Sequence, residues 1–139
     1  LPTALANITT APTKKPIVPT AKPDNSVKIA DIQAQITTLT IDRANLQTEY
    51  DNKTTDYSSK IINYTNSISY TQSAISMAKI NGQMNSGYWE QLQEQLSSFT
   101  SSLYTAKKDL ADAQAKYPPL IAEKQAKIDM LKIQLASLY

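Results

Sequence analysis

Two apolar seams in this chain mirror one another, and that symmetry constrains the fold more than any other feature. Turning the sequence back on itself between Gln83 and Met84 sets Ile29 against Leu138, Ile32 against Leu135, Ile36 against Leu131 and Leu39 against Ile128. Further along, Leu46 meets Ile121, Tyr50 meets Tyr117 and Tyr57 meets Leu110. Nearer the fold-back, Ile61 meets Ala106, Tyr64 meets Leu103, Ile68 meets Phe99, Thr71 meets Leu96, Ile75 meets Leu92 and Ala78 meets Trp89. Both arms follow the alternating three- and four-residue steps of a coiled-coil seam. Each also interrupts the alternation with two successive four-residue steps, after Leu46 in one arm and, read backwards, after Ile121 in the other. Any two heptad helices can be aligned somewhere, but a stutter at mirrored positions is expected when the arms are packed together. The sequence therefore predicts an all-α fold, a long antiparallel two-helix coiled-coil hairpin with a tip and a base.

Local signals place its boundaries. Residues 1 to 26 form an extended Pro/Thr-rich arm or linker, because Pro2, Pro12, Pro16, Pro19 and Pro23 remove backbone donors and fix φ. Asp24, Asn25 and Ser26 are N-cap residues, so the first helix is expected over 27 to 80, free of Pro and Gly. The only glycines, Gly82 and Gly87, mark a tip loop over 81 to 87. The return helix is expected over 88 to 117 and 119 to 138. Pro118 and Pro119 delete two helical hydrogen bonds, which predicts a kink, or a break with a restart.

Composition narrows the chemistry. With 139 residues and 41% hydrophobic content there is enough chain for one domain, but two helices bury only a strip each. Stability must come from the seam or from neighbours. Lys+Arg 14 against Asp+Glu 12, dispersed, lacks the basic stripe of a nucleic-acid footprint, so no nucleic-acid partner is expected. The chain has no Cys and no His, which excludes disulfides, thiol nucleophiles, His bases and the common zinc sites. No phosphate-binding glycine motif is present, and Glu90 and Glu94 lie one turn apart on an open helix. No catalytic, cofactor or metal site is expected, and no run approaches a transmembrane length.

The two halves of the hairpin differ in polarity. From Ile61 to Ala106 the only charged residues are Lys79, Glu90 and Glu94, and the rest of the surface is Ser, Thr, Asn, Gln and Tyr. The base half carries the ordinary mixture of acids and bases. Hydroxyl and amide groups can be buried by mutual hydrogen bonds without the desolvation cost of ions, so the tip half suits lateral packing. Tyr70, Tyr88 and Tyr104 fall off the seam there and are the candidate interface residues. Asn7, Asn52 and Asn63 head Asn-x-Thr triplets and are candidate glycosylation sites, leaving a glycan among the partners to be tested. Arg43 and Lys124 oppose one another on the seam and are expected to snorkel toward nearby acids.

These features lead to a non-enzymatic structural protein of an extracellular filament, coat or virion. Rods would pack laterally and the N-terminal arm would link subunits, the partner being copies of the chain or other subunits. The alternative is a monomeric coiled-coil stalk that presents its tip to a receptor, glycan or envelope partner. The Leu1 start is that expected of a chain that has lost a leader, which favours an extracellular, cell-surface or virion location.

Overall fold

The computed structural model describes residues 22–139. It consists of helix α1, Ser26–Ile80, and helix α2, Gly87–Ala136, of 55 and 50 residues. They lie antiparallel against each other, and at about 1.5 Å per residue the rod is about 80 Å long. The all-α hairpin read from the sequence is the observed fold. Of the expected arm over residues 1 to 26, residues 1 to 21, Asn7 among them, lie outside the described residues.

The tip is built by a Schellman reversal. Gln83 N–H donates to the Ala78 carbonyl at 2.9 Å and Gly82 N–H to the Lys79 carbonyl at 3.3 Å, satisfying carbonyls that the helix end leaves open. Gly82 sits at φ 70, a left-handed conformation that a Cβ disfavours. Ser86 then caps α2: its Oγ accepts from Trp89 N–H at 3.3 Å and donates to the Gln83 carbonyl at 2.6 Å. Because Ser86 is the cap, α2 starts at Gly87, one residue before the expected Tyr88. Glu90 in the first turn complements the helix dipole.

At the base, the Asp24 carboxylate accepts the Ser26 N–H at 2.9 Å, and this bond holds the Asp24 pKa below its ordinary value. Helix α1 starts at Ser26, one residue earlier than expected, with Asn25 at the N-cap position but making no side-chain capping bond. Asn25 Nδ2 donates to the Leu138 carbonyl at 3.2 Å and Lys22 Nζ to the Tyr139 carbonyl at 3.3 Å. Both ends of the described chain are therefore clasped together.

The break offered as one outcome at Pro118-Pro119 does not occur, and α2 runs through both prolines as one helix. Burial gives the physical reason. Pro118 and Pro119 are exposed, as are Gln114 and Ala115, whose carbonyls lose their helical partners, so water can replace the missing bonds. On the opposite side Tyr117 is only 2% exposed and Ile121 is half-buried, which pins the helix to α1 on either side of the prolines.

The core is a line rather than a volume. Thr71, Ala78, Leu92, Ala106, Ala113, Tyr117 and Ile128 are buried. The remaining seam positions, including Ile29, Ile32, Ile36, Leu39, Leu46, Ile61, Ile68 and Ile75 on α1, are half-buried. So are Trp89, Leu96, Phe99, Leu103, Leu110, Ile121, Leu131, Leu135 and Leu138 toward and along α2. Several of the most buried positions are small, where a bulky mate such as Trp89, Leu96 or Ile61 sits opposite in the mirrored pairing.

Candidate functional site

A cluster of side-chain interactions between the helices lies where the seam changes its spacing. Consecutive four-residue steps bring Tyr50 and Tyr117 to the same level, and their rings stack with centroids 5.7 Å apart and planes 26° from parallel. The Tyr117 hydroxyl donates to the Glu49 carboxylate, and Lys116 Nζ lies 5.0 Å from the same ring centre. The hydrogen bond to Glu49, helped by burial and by the negative charge beside it, pushes the Tyr117 pKa up to about 12. A phenol held neutral in this way stiffens the joint between the helices.

Two turns toward the base, the opposed cations find separate partners. Lys124 Nζ pairs with the Asp42 carboxylate at 3.8 Å, as the snorkelling argument requires. Arg43 instead donates to Gln125 Oε1, an amide rather than an acid. Both cations are half-buried. A shallow groove beside them, lined by Gln47, Tyr50, Pro118, Ile121 and Gln125 among others, is open along the flank of the rod.

The three candidate interface tyrosines are all exposed: Tyr70 at 80%, Tyr104 at 71% and Tyr88 at 49%. They do not form one patch. Helical geometry, at about 100° per residue, puts Tyr70 on the outer flank of α1, bordering a shallow groove with Gln95 and Phe99 of α2, whereas Tyr104 and Tyr88 point in widely different directions on α2. Tyr70 belongs to a larger feature that the sequence reading missed. Val27, Ile41, Ile62, Tyr70, Met77 and Ile80 are the exposed large apolar residues of α1. They fall within an arc of about 100°, nearly opposite the seam.

No charged residue of α1 enters that arc: Asp51 and Asp56 come nearest, on opposite edges. Between the apolar positions the strip holds only Ala, Thr, Ser and Asn, all exposed. The signal was present in the spacing, but Ser, Thr and Asn between the apolar residues blur an apolar periodicity. The exclusion of charge is the cleaner marker. The corresponding outward face of α2 differs, since Glu90, Glu94, Lys108, Asp112 and Glu123 all lie on it and are exposed. Asn52 and Asn63, two of the candidate glycosylation sites, lie inside the α1 strip and are exposed.

Among the described residues no cluster of three or more acidic, His or Cys side chains is placed to hold a metal ion. No helix among them is long and apolar enough to cross a membrane. What the geometry offers is surface: one long uncharged face, a neutral tip and open flanking grooves. No protein-family model, characterised protein or solved structure matches the chain.

Proposed function

We propose that this chain is a non-enzymatic assembly subunit of an extracellular filament, coat or virion, in which rods pack side by side and residues 1 to 26 link one subunit to the next. The observation that carries this reading is the amount of apolar side chain left uncovered along the rod. Ile41, Ile62, Tyr70 and Met77 are between 55% and 80% exposed, and they share one face rather than being scattered. Exposed apolar residues aligned along one uncharged face suit an interaction surface, and long helices draw their stability from covering such faces. The uncharged tip half supports the same reading, because its hydroxyl and amide groups can be buried against a neighbour without stripping water from ions.

Sedimentation of the full chain across a concentration series tests it. Assembly predicts mass rising with concentration, and deletion of residues 1 to 23 should weaken or shorten the assembly. A mass that stays at 15.4 kDa throughout would refute it.

A monomeric stalk is the second reading, favoured by a specific feature of the tip. Ile80, Met84 and Tyr88 are exposed at 78%, 47% and 49% around a turn without charge, as a presenting end requires. Under this reading the mass stays constant, and charge introduced at Met84 abolishes partner binding while charge at Ile41 has no effect.

A further inference from the structure

We infer that the outward face of α1 is a homodimer interface, on which a second copy of this chain lies antiparallel along the full length of the helix. This rests on the reading of the protein as an assembly subunit and specifies which surface and which partner begin the assembly. Three observations lead to it.

The first is extent. The uncharged strip runs from Val27 to Ile80, about 80 Å. A strip of that length and one helix diameter wide, about 10 Å, has an area of about 800 Å². That is what each partner contributes to a stable interface of standard size. A partner able to cover it must itself be a rod of this length, and the chain supplies one.

The second is the distribution of side-chain size. The base half of the strip is mostly small, with Ala30, Ala34, Thr37 and Ala44, whereas the tip half carries Ile62, Tyr70, Met77 and Ile80. In a full-length antiparallel overlap Ala30 faces Met77 of the second copy, Thr37 faces Tyr70, Asn45 faces Ile62 and Val27 faces Ile80. Met77 and Tyr70 then enter space left by Ala30 and Thr37, and Val27 meets Ile80 as an apolar pair at each end. A parallel overlap would set Tyr70 on Tyr70 and Met77 on Met77 while leaving Ala30 and Ala34 facing their own copies across a gap. A two-fold axis makes each contact occur twice, as in an isologous interface.

The third is charge. Asp51 and Asp56 stand at the two edges of the strip near its middle, where both keep contact with water, and nothing charged would be buried between the copies. The outward face of α2, with its five charged residues, could not be covered on the same terms.

Cysteine cross-linking provides the test, because the natural chain contains no Cys. Full-length Thr37→Cys and Tyr70→Cys chains are mixed and oxidised. The expected product is a Thr37→Cys/Tyr70→Cys heterodimer, with neither variant forming a disulfide dimer alone. In parallel, the double variant Ile62→Lys with Met77→Lys is sedimented. It should run at half the mass of the parent dimer with unchanged helical circular dichroism, and Tyr104→Lys should keep the parent mass.

Self-cross-linking of Tyr70→Cys alone would overturn the inference by showing a parallel arrangement. A parent chain that oligomerises, with the lysine double variant oligomerising equally well, would overturn it while leaving the assembly reading standing. A parent that is monomeric at every concentration would overturn both. A glycan found on Asn52 or Asn63 of the native protein would also overturn the inference, since either would hold two copies apart.

Discussion

Both helices turn an apolar face inward, but the outward face of α1 is free of charge, whereas that of α2 sets Tyr104, Met130 and Ile133 among charged residues. The inward face of α1, with Ile61, Ile68 and Ile75, is half-covered by α2, whereas the outward face, with Ile62, Tyr70 and Met77, is covered by nothing in the hairpin. On α2 the inward face holds Leu92, Tyr117 and Ile128, all buried, and the outward face carries charge. The contrast separates two uses of the same chemistry. An apolar row balanced by a charged opposite face completes a two-helix fold, and a second apolar row opposite the first has no use within it. In the assembly proposed above, helix α1 would be the middle layer and α2 its solvated side.

The inward face gives the largest expected effect. Leu92→Asp places an unpaired carboxylate at a position only 5% exposed, removing apolar burial and stranding a charge, and should cost about 3–5 kcal/mol. Chemical denaturation followed by circular dichroism measures it. A loss below 1 kcal/mol would show that α2 is not needed to cover this face.

Next come the two prolines, on the solvated side of α2. Pro118→Ala and Pro119→Ala each restore a helical hydrogen bond and should stabilise the hairpin by up to about 3 kcal/mol, read as a rise in melting temperature. A fall would mean that the prolines shape the seam at Tyr117 rather than being tolerated behind it.

The Tyr117 hydroxyl provides a pH test of the inward face. Its pKa is about 12 in the fold against an ordinary value of 10.0, so the neutral phenol is the form that the fold favours. The stability it contributes is complete below about pH 10 and is lost as pH rises through about 12. Tyr117→Phe should remove that part of the alkaline loss. Denaturation midpoints at pH 9 and pH 11 measure the difference, and identical profiles for the two chains would exclude a role for the Glu49 bond.

The smallest effect on folding is expected from the outward faces. Ile62→Lys and Tyr104→Lys should each change the stability of the isolated hairpin by less than about 0.5 kcal/mol, since both side chains are already in water. A much larger loss for Ile62→Lys at concentrations where the chain assembles, vanishing on dilution, would show that the outward face of α1 is stabilised by partner contact.

The hairpin was legible because its information is one-dimensional. A seam is a spacing, and a stutter repeated at Tyr50 and Tyr117 ties two distant spacings into one interface. The unbroken passage of α2 through Pro118-Pro119 was less accessible, because sequence records the local cost of proline but not whether the freed carbonyls face water. Arg43 was expected to reach toward a nearby acid and instead donates to Gln125. That the partner is Gln125 rather than an acid depends on which side chain stands one residue beyond Lys124, a matter of rotation about the helix axis. Candidate surface residues chosen for chemical character found Tyr70 but grouped it with Tyr88 and Tyr104, which share its ring and not its direction.

The reversal at Gly82 also sets an order in time. Contacts beside the turn close the shortest loops and those at Asn25 and Leu138 the longest, and the entropy of closure grows with loop length. The hairpin should therefore zip from its tip. Gly82→Ala should slow folding, whereas Ile32→Ala, at the end that fastens last, should chiefly hasten unfolding, and stopped-flow kinetics distinguish the two. Until the reversal has been synthesised, α1 leaves the ribosome with both its inward and outward rows bare, so in the assembly proposed above a neighbouring copy would meet the outward row before the chain's own second arm reaches the inward one.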